Sequence, residues 1–492
     1  MTVTDESLPT YPWEAGAIKK RQQRNEAIPE AWRLHQNLQG GLKTPLEKSK
    51  NNLLELNFIA PIWNFDRRGA DYRIKRFSFC KRAAVAHQLI AGMASTLGLT
   101  AYLDHRAESN SALVDILLAL GAVLYCKTHV PQTMMNAYPW TTSLSAGGSR
   151  GGEGALIAMR GAPIGVGTDP AGMSAKKMLD KVLMTGSISV SALCCGTCGF
   201  RPTASRIPNG GQQGCADEGL AQILPGAGTL ANDTKALTLF VKAVLPAKPA
   251  LYDASALDVN WRDIRGPFGR KLRFGLLPED STYPLHPPVR RTIAEASRLL
   301  QASGHEVVEL QSDECRISEA LQVAFALFAL DETADGIVKA AGEPPVPSRI
   351  KLTKRWVKLH RSSSQICVTP GLKQLSGLNL KRRELISDWC RLWQKYETDA
   401  VIGPGGRTTA IEHDEFTLPP YTVLMDLLDV IRRLFADVVV VADNKRIRSM
   451  TLLTGFVLQC PACSIPFGRV TESDAAERLD LQPGQVVPSC EF

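Results

Sequence analysis

A glycine-rich stretch that carries a serine is the part of the sequence best suited to chemistry. It reads Gly147-Gly148-Ser149-Arg150-Gly151-Gly152, with a helix predicted over Glu153–Met159 and a strand over Ala162–Gly167. A loop that leads into a helix N-terminus points backbone N–H groups outward, and these stabilise an anion. The stretch therefore indicates an anion or oxyanion site. Since glycine loops are common, a helix cap is the alternative role for Ser149.

The cysteines offer a second kind of chemistry. Cys195/Cys198 and Cys460/Cys463 are two Cys-x-x-Cys pairs, which together would supply the four thiolates of a zinc site. The pairs lie far apart in sequence and have no flanking histidine, which favours buried, inert thiols instead. The chain has 12 cysteines and no visible secretory signal, so we expect reduced thiols and a cytoplasmic location.

Composition argues against several classes of protein. With 44% hydrophobic and 22% charged residues over 492 positions, the chain resembles an ordinary globular enzyme. The net charge of +8 comes from short basic clusters without interleaved aromatic residues, so we expect no nucleic-acid binding. The apolar run at 438–441 is too short for a membrane span.

Helices and short apolar strands alternate along the chain. The pattern predicts a helix over Ser109–Leu120 and then a strand over Ala122–Cys126. It predicts a β-α-β unit with strands over Lys271–Leu277 and Glu306–Leu310. A helix is also predicted over Ala83–Ala94, because apolar residues recur there every three or four positions. This alternation is typical of an α/β protein.

Around the glycine loop the sequence resembles a known family. Residues Ala146–Ile157 and Gly165–Asp169 are similar to the signature of the amidase signature family, in the branch of the fungal general amidases, acetamidase and fatty acid amide hydrolase. Similar stretches follow in order: Phe79–Leu89, Asn110–Met135, Ala192–Gly214, Leu272–Val308, Leu418–Asp429 and Pro461–Gly468. The resemblance implies an α/β amidase-signature fold, in which helices cover both faces of a twisted mixed β-sheet.

The resemblance also implies acyl transfer. The family uses a Ser–cis-Ser–Lys triad, in which a lysine kept neutral by burial takes the proton of the nucleophilic serine through the second serine. Backbone N–H groups stabilise the oxyanion. The chain would then hydrolyse a small-molecule amide to a carboxylic acid and ammonia or an amine through an acyl-enzyme. No metal or organic cofactor is implied, and a homodimer is one option.

Several positions match functional residues of the family. Ser149 matches the cis-serine, whereas Arg150 stands where the family has a further serine. Ala171 and Gly172 match the turn that binds the oxyanion and substrate, although the preceding Pro170 has no N–H to contribute. Met134 matches a position that lines the acyl pocket; an ordinary core role is the alternative.

The predicted nucleophile follows an insertion. The family reads Gly-Thr-Asp-x-x-Gly-Ser-Ile-Arg, but here 14 residues, 173–186, separate Gly172 from the continuation at Ser187-Ile188. Ser187 is therefore the predicted nucleophile, and Ser174 is a weaker candidate. A second insertion, 430–459, separates Asp429 from the next stretch of resemblance.

The family's catalytic lysine strand has no counterpart in the sequence. Its pattern, Gly-Leu/Val-Pro-x-Ser-x-Lys-Asp/Glu, is absent, and Leu89–Gly92 runs directly into a segment that follows that strand in relatives. Lys127 matches a different position in the family. These departures leave three hypotheses: an impaired serine amidase, a catalytically dead amidase-fold protein or product of a faulty gene model, and a zinc-thiolate or redox protein built on the two Cys-x-x-Cys pairs.

The same comparison predicts the organisation of the chain. Residues 1–52 would form a polar N-terminal arm, and residues 53–492 a single amidase-signature domain with atypical inserts at 173–186 and 430–459. The codons before Met173 and at Gln459 can resemble splice signals, which is why a faulty gene model is one of the hypotheses.

Overall fold

Short strands separated by helices come together in one sheet. The computed structural model describes residues 82–85, 88–132, 144–169, 187–220, 222–259, 261, 271–346, 371–410, 412, 415, 418–429, 437–440 and 462–465. All of these belong to one unit of the chain, Cys80–Phe492. The predicted arm 1–52 lies outside the described residues, so the predicted division of the chain stays a prediction.

The sheet has ten strands among the described residues. They are β1 (Arg82–Val85), β2 (Val123–Lys127), β3 (Ile164–Asp169), β4 (Cys198–Arg201), β5 (Gly226–Ala231), β6 (Arg273–Leu276), β7 (Glu306–Glu309), β8 (Ala400–Ile402), β9 (Asp437–Val440) and β10 (Ala462–Ile465). Their order is β2-β1-β3-β5-β4-β10-β9-β8-β6-β7. The contacts β3–β5, β5–β4 and β4–β10 are antiparallel and the others parallel, so the sheet is mixed.

Ten α-helices accompany the sheet in the described part of the chain. They are α1 (Ala112–Ala119), α2 (Gly151–Ala158), α3 (Ser187–Cys195), α4 (Thr234–Val244), α5 (Pro287–Ala302), α6 (Ser312–Cys315), α7 (Ile317–Phe328), α8 (Thr333–Ala340), α9 (Leu372–Tyr396) and α10 (Pro420–Leu427). None of the helices described is long and apolar enough to cross a membrane.

Strand β3 shows how helices cover both faces of the sheet. Large side chains alternate with glycines along it, and successive residues of a strand point to opposite faces. Ile164 and Val166 pack into a core that includes residues of α1 and α4. On the other face, Gly165 lies against Ile157 of α2. Because Gly165 has no side chain, α2 can approach the sheet closely.

Helices α2 and α3 pack directly on each other. Every residue of α3 is buried. A side chain at Gly154 of α2 would come within 2.8 Å of the Cys195 sulfur of α3. Ile157, Ile188 and Leu230 join the two helices to β5 in one apolar cluster. Small residues therefore set the spacing between the helices that carry the glycine loop and the predicted nucleophile.

A larger core lies around α7, α9 and α10. Leu321, Leu385 and Leu424 contribute one fully buried side chain from each of these helices. Trp389 of α9 is also fully buried, and its indole N–H donates to the carbonyl oxygen of Cys315 at 3.1 Å. Helix α7 packs against both α10 and α9, so this core joins the three helices.

The predicted helix over Ala83–Ala94 is wrong. Arg82–Val85 is strand β1, which pairs with both β2 and β3, and a turn follows at Gly92, whose φ is 76°. A short apolar run suits either a helix or a buried strand. Here hydrogen bonding to two neighbouring strands decides in favour of the strand. The other predicted helices and strands named above lie within a few residues of their predicted bounds.

Part of the predicted insertion 430–459 lies inside the sheet. Strand β9 falls within this insertion and pairs in parallel with β10 on one side and β8 on the other. Its apolar run Val438–Val440 suits a strand with neighbours on both sides. A segment without a counterpart in the family pattern thus supplies a central strand.

Candidate active site

The glycine loop is fixed against α3 at a position that favours glycine. Gly147 has a φ of 75°, which residues with side chains rarely adopt. A side chain there would also come within 2.8 Å of the carbonyl oxygen of Val190, in the first turn of α3. The Gly147 N–H donates to Ser145 Oγ at 3.0 Å. The loop is therefore held next to the start of α3.

Two serines meet where α2 and α3 begin. Ser149 follows a cis peptide bond with Gly148 and lies two residues before α2, and Ser187 is the first residue of α3. Their hydroxyl oxygens are 2.8 Å apart, and both residues are fully buried. One hydroxyl therefore donates to the other, which is the contact that proton transfer between two serines requires.

Asp169 holds the start of α3. This last residue of β3 accepts a hydrogen bond from the Ile188 N–H at 3.0 Å through its carboxylate. Its carbonyl oxygen accepts from Arg201 Nε at 3.2 Å. The first N–H groups of a helix have no partner within the helix, and negative charge is favoured there. Asp169 thus fixes the first turn of α3, which begins at Ser187.

Arg150 places a buried cation directly after Ser149. Its side chain lies over Gly167, where an added Cβ would meet Arg150 Cδ at 2.9 Å. Nε donates to the Thr168 carbonyl oxygen at 3.3 Å, and a terminal N–H donates to the Thr168 hydroxyl. Burial lowers the pKa of Arg150 to about 10, against the opposing effect of Glu153 and other nearby groups. Arg150 is therefore a cation at neutral pH.

Glu153 is a buried carboxyl group in the first turn of α2. Burial raises its pKa to about 8, and the nearby charge of Arg150 only partly opposes this rise. Because the pKa lies above neutrality, Glu153 is mostly protonated at pH 7. The helix thus carries a neutral carboxyl group where the sequence alone indicates a charge.

Lys127, at the end of β2, has a partly desolvated amine. Its Nζ donates to the carbonyl oxygen of Gln88 at 2.9 Å, and burial lowers its pKa to about 8. Two residues further on, the backbone of His129 lies against Gly152 of α2. The hydrogen bond of Lys127 goes to Gln88 and not to the serine pair.

The sequence that folds into this pair of serines is similar to that of known proteins. The sequence profile of the family described as Amidase matches residues 87–455, most of the chain. The chain belongs to the amidase family. The predicted family is therefore confirmed.

Fungal members of the amidase family are similar over most of this chain. An amidase of Gibberella moniliformis is 31% identical over 358 residues, which cover 69% of this chain and 62% of that protein. An acetamidase of Aspergillus oryzae is 26% identical over an alignment of 515 positions, covering 86% of this chain and 87% of that protein. The first match spans less than two thirds of the Gibberella protein.

Solved structures share the amidase fold. Fatty acid amide hydrolase superposes with a TM-score of 0.66 at 20% identity, covering 85% of this chain and 82% of that one. A glutamyl-tRNA(Gln) amidotransferase subunit from Thermotoga maritima gives a TM-score of 0.51 at 16% identity, covering 70% of this chain and 74% of that one. At these identities the likeness shows the fold alone, and it confirms the predicted amidase-signature fold.

Only part of the predicted amidase site can be located. The structure brings Ser149 and Ser187 together. Met134, Ala171 and Gly172 lie outside the described residues. The weaker candidate Ser174 and the rest of the insert 173–186 lie outside them as well.

The described part of this amidase contains no cluster of side chains that would support the zinc hypothesis. No group of three or more His, Cys, Asp or Glu side chains is placed there to hold a metal ion. Cys195 and Cys198 are buried and form no disulfide, and Cys195 donates to the carbonyl oxygen of Ala146 at 3.4 Å. Cys460 and the side chain of Cys463 lie outside the description.

Sequence reasoning missed a buried ion cluster behind α3. Arg201, at the end of β4, contacts Asp429 Oδ1 at 2.6 Å and Asp426 Oδ1 at 3.0 Å. All three side chains are at least 96% buried. Both partners lie in stretches that resemble the family, but more than 200 residues separate them from Arg201 in sequence. No local pattern indicates that they meet.

Proposed function

We propose that the chain is a serine amidase that hydrolyses a small-molecule carboxylic acid amide in the cytoplasm to the acid and ammonia or an amine. Ser187 is the nucleophile and Ser149 accepts its proton. The observation that carries this proposal is the 2.8 Å contact between the two buried hydroxyl groups. Membership of the amidase family supports it.

Each step of the proposed reaction uses a group at the start of α3. Ser187 Oγ forms a bond to the amide carbonyl carbon while its proton passes to Ser149, and the carbonyl oxygen becomes an oxyanion beside the helix N-terminus. The C–N bond then breaks, and the leaving nitrogen takes a proton through Ser149. Water hydrolyses the ester on Ser187 and releases the carboxylic acid.

We propose further that proton transfer is slow in this chain. Ser149 needs a base to which it can pass a proton, and the family's lysine strand is absent from the sequence. Strand β1, which lies beside β3, reads Arg-Ala-Ala-Val and contributes no lysine. At neutral pH Arg150 and Glu153 are both mostly protonated, with pKa values of about 10 and about 8. Neither group is suited to accept the proton.

A catalytically dead amidase-fold protein that binds an amide without hydrolysing it is the second candidate. The cation of Arg150, adjacent to Ser149, favours this interpretation because the family has a small hydroxyl group at that position. A serine-directed fluorophosphonate separates the two candidates, since only an activated serine attacks the phosphorus.

We expect the purified full chain to be labelled by the fluorophosphonate at Ser187, as located by peptide mapping. Ser187→Ala should abolish labelling, and Ser149→Ala should slow it by about 10²–10⁴-fold because acid–base assistance is lost. Ser191→Ala is the matched control, because this serine is also fully buried in α3. It should be labelled at the rate of the unaltered chain.

Two results would contradict the amidase proposal. One is a folded chain, as judged by a cooperative thermal transition, that is not labelled at Ser187. The other is labelling that persists in Ser187→Ala. The first result would favour an amide-binding protein without turnover.

A further inference from the structure

The connection between β4 and β5 contains the single Asn-Gly dipeptide of the sequence, Asn209-Gly210. Both residues are partly exposed, so water and hydroxide reach them. An asparagine followed by glycine is especially prone to deamidation, because glycine has no side chain to hinder the approach of its backbone nitrogen to the asparagine amide. This position is therefore a candidate for spontaneous covalent modification.

The modification involves only these two residues and water. The Gly210 nitrogen loses its proton and forms a bond to Asn209 Cγ, the bond from Cγ to Nδ2 breaks, and ammonia leaves with that proton. Water then opens the resulting five-membered imide and leaves aspartate or isoaspartate at position 209. The attacking species is the deprotonated amide nitrogen, so a group that hinders loss of the Gly210 proton slows the modification.

A carboxylate holds the Gly210 proton. The Gly210 N–H donates to Asp253 Oδ2 at 2.6 Å, and the Asn209 N–H donates to the same oxygen at 2.9 Å. Ser255 donates to Asp253 Oδ1 through its N–H at 2.9 Å and through its hydroxyl at 2.7 Å. Burial acts to raise the pKa of Asp253, but these hydrogen bonds outweigh it and lower that pKa below its usual value. Asp253 is therefore an anion at neutral and alkaline pH.

The charge of Asp253 opposes deprotonation of Gly210. Loss of the Gly210 proton would place two negative charges within hydrogen-bonding distance, and a like charge disfavours the ionised form of its neighbour. Asp253 does not take up the proton itself, because its pKa lies far below that of a backbone amide. The Asn209 side chain is held as well, since its Oδ1 accepts from Gln212 Nε2 at 2.8 Å.

We propose that Asn209 is a deamidation site that the Asp253 carboxylate protects in the folded chain. Conversion of Asn209 adds a carboxylate beside Asp253 and, as isoaspartate, an extra methylene in the main chain before Gly210. The Gly210 carbonyl oxygen accepts from the Ala112 N–H at the start of α1 at 3.2 Å, so the modification disturbs a contact with that helix. The proposal is independent of the amidase reaction, because none of these residues belongs to the serine pair.

Peptide mapping by mass spectrometry measures the conversion of Asn209 while the purified full chain is incubated at mildly alkaline pH and physiological temperature. The folded chain should convert at least about tenfold more slowly than the same chain unfolded in guanidinium chloride, since a rise of one unit in the pKa of the Gly210 N–H reduces its deprotonated fraction tenfold. Asn209→Gln should show no conversion at this position on the same timescale, because glutamine would have to form a six-membered ring.

A substitution that preserves shape tests the role of the charge. Asp253→Asn keeps the size of the side chain and removes its charge, so Asn209 should convert several-fold faster in the folded variant than in the unaltered chain. Asp258→Asn is the matched control, because Asp258 lies nearby in the sequence but accepts from the Ala250 N–H at 2.9 Å instead. Cleavage after Lys235 places positions 209 and 253 in different peptides, so their asparagines are distinguished.

Three outcomes overturn the proposal. The first is equal conversion of Asn209 in the folded and the unfolded chain. The second is a folded Asp253→Asn variant, as judged by its Tm, that converts at the rate of the unaltered chain. The third is slower conversion in that variant, which would make Asp253 a base that promotes the reaction. If Asp253→Asn does not fold, Asp253→Ser removes the same charge and takes its place in the comparison.

Discussion

Arg150 and Arg201 are two fully buried arginines whose surroundings act on them in opposite directions. Burial lowers the pKa of Arg150 to about 10, and the nearby acidic groups do not compensate. Burial also acts to lower the pKa of Arg201, but Asp429 and Asp426 outweigh it and raise that pKa above its usual value. Arg150 donates to neutral oxygens of Thr168, whereas Arg201 directly contacts two carboxylates.

The difference shows that a buried arginine keeps a raised pKa where ionised carboxylates offset the effect of burial, as Asp429 and Asp426 do at Arg201. The desolvation cost of a buried ion is offset only where partners are close and hydrogen-bonded. Arg201 meets that condition and joins β4 to the end of α10. At Arg150 the effect of burial outweighs that of the nearby acidic groups and lowers the pKa to about 10. Burial also raises the pKa of the neighbouring Glu153 to about 8, so this carboxyl group is mostly protonated at pH 7.

The largest loss of stability is expected when Arg201 is replaced. Arg201→Met would leave Asp426 and Asp429 buried without their shared guanidinium, and breaking a buried ion pair in this way costs about 3–5 kcal/mol. Urea unfolding of the purified chain at pH 7 measures the loss. Arg290→Met is the matched control, because Arg290 forms a 2.7 Å pair with Glu279 at the surface, and it should cost under about 1 kcal/mol. Equal losses in the two variants would contradict this account of Arg201.

A smaller effect is expected at Arg150. Arg150→Met preserves the length of the stem over Gly167 and removes the desolvated charge. Because Glu153 is mostly protonated at pH 7, no unpaired anion is created at that residue, and we expect a loss of about 1–2 kcal/mol from the hydrogen bonds to Thr168. The same urea unfolding measures it. A loss as large as that of Arg201→Met would remove the distinction between the two arginines.

At pH 5 the smallest change in the free energy of unfolding is expected for Glu153→Gln. Its folded pKa of about 8 lies above its value of 4.5 in the unfolded chain, so its contribution to stability is full below about pH 4.5 and is lost as pH rises through about 8. Glu153→Gln should thus change stability by under about 1 kcal/mol at pH 5. Between about pH 4.5 and pH 8 the free energy of unfolding of the unaltered chain should fall by up to about 1.4 kcal/mol per pH unit because of Glu153. Glu153→Gln should remove this pH dependence.

Urea unfolding at several pH values between 5 and 8 measures this slope. Glu384→Gln, at an exposed position of α9, is the control and should run parallel to the unaltered chain. If Glu153→Gln also runs parallel to the unaltered chain, Glu153 is ionised in the folded state and our account of Arg150 is wrong.

Much of the fold and part of the site could be predicted from local pattern. The glycine loop, the strand that follows it and the helix that begins at Ser187 lie in contiguous stretches, so spacing alone indicates them. Strand β1 was predicted as a helix because its form depends on pairing with β2 and β3, which are distant in sequence. The contacts of Arg201 with Asp426 and Asp429 could not be predicted either, because these residues are also distant in sequence.

The sequence by itself determined the family and the α/β fold, and it predicted Ser149 and Ser187 as the catalytic serines, because residue type and short spacing are properties of the chain before it folds. Only the tertiary structure decided that Ser149 and Ser187 lie 2.8 Å apart, that Glu153 holds its proton near pH 7, and that one buried arginine directly contacts two carboxylates while the other donates to Thr168. Distance, burial and electrostatic environment arise from contacts between segments that are far apart in the chain. These contacts form only when the sheet and its helices pack together.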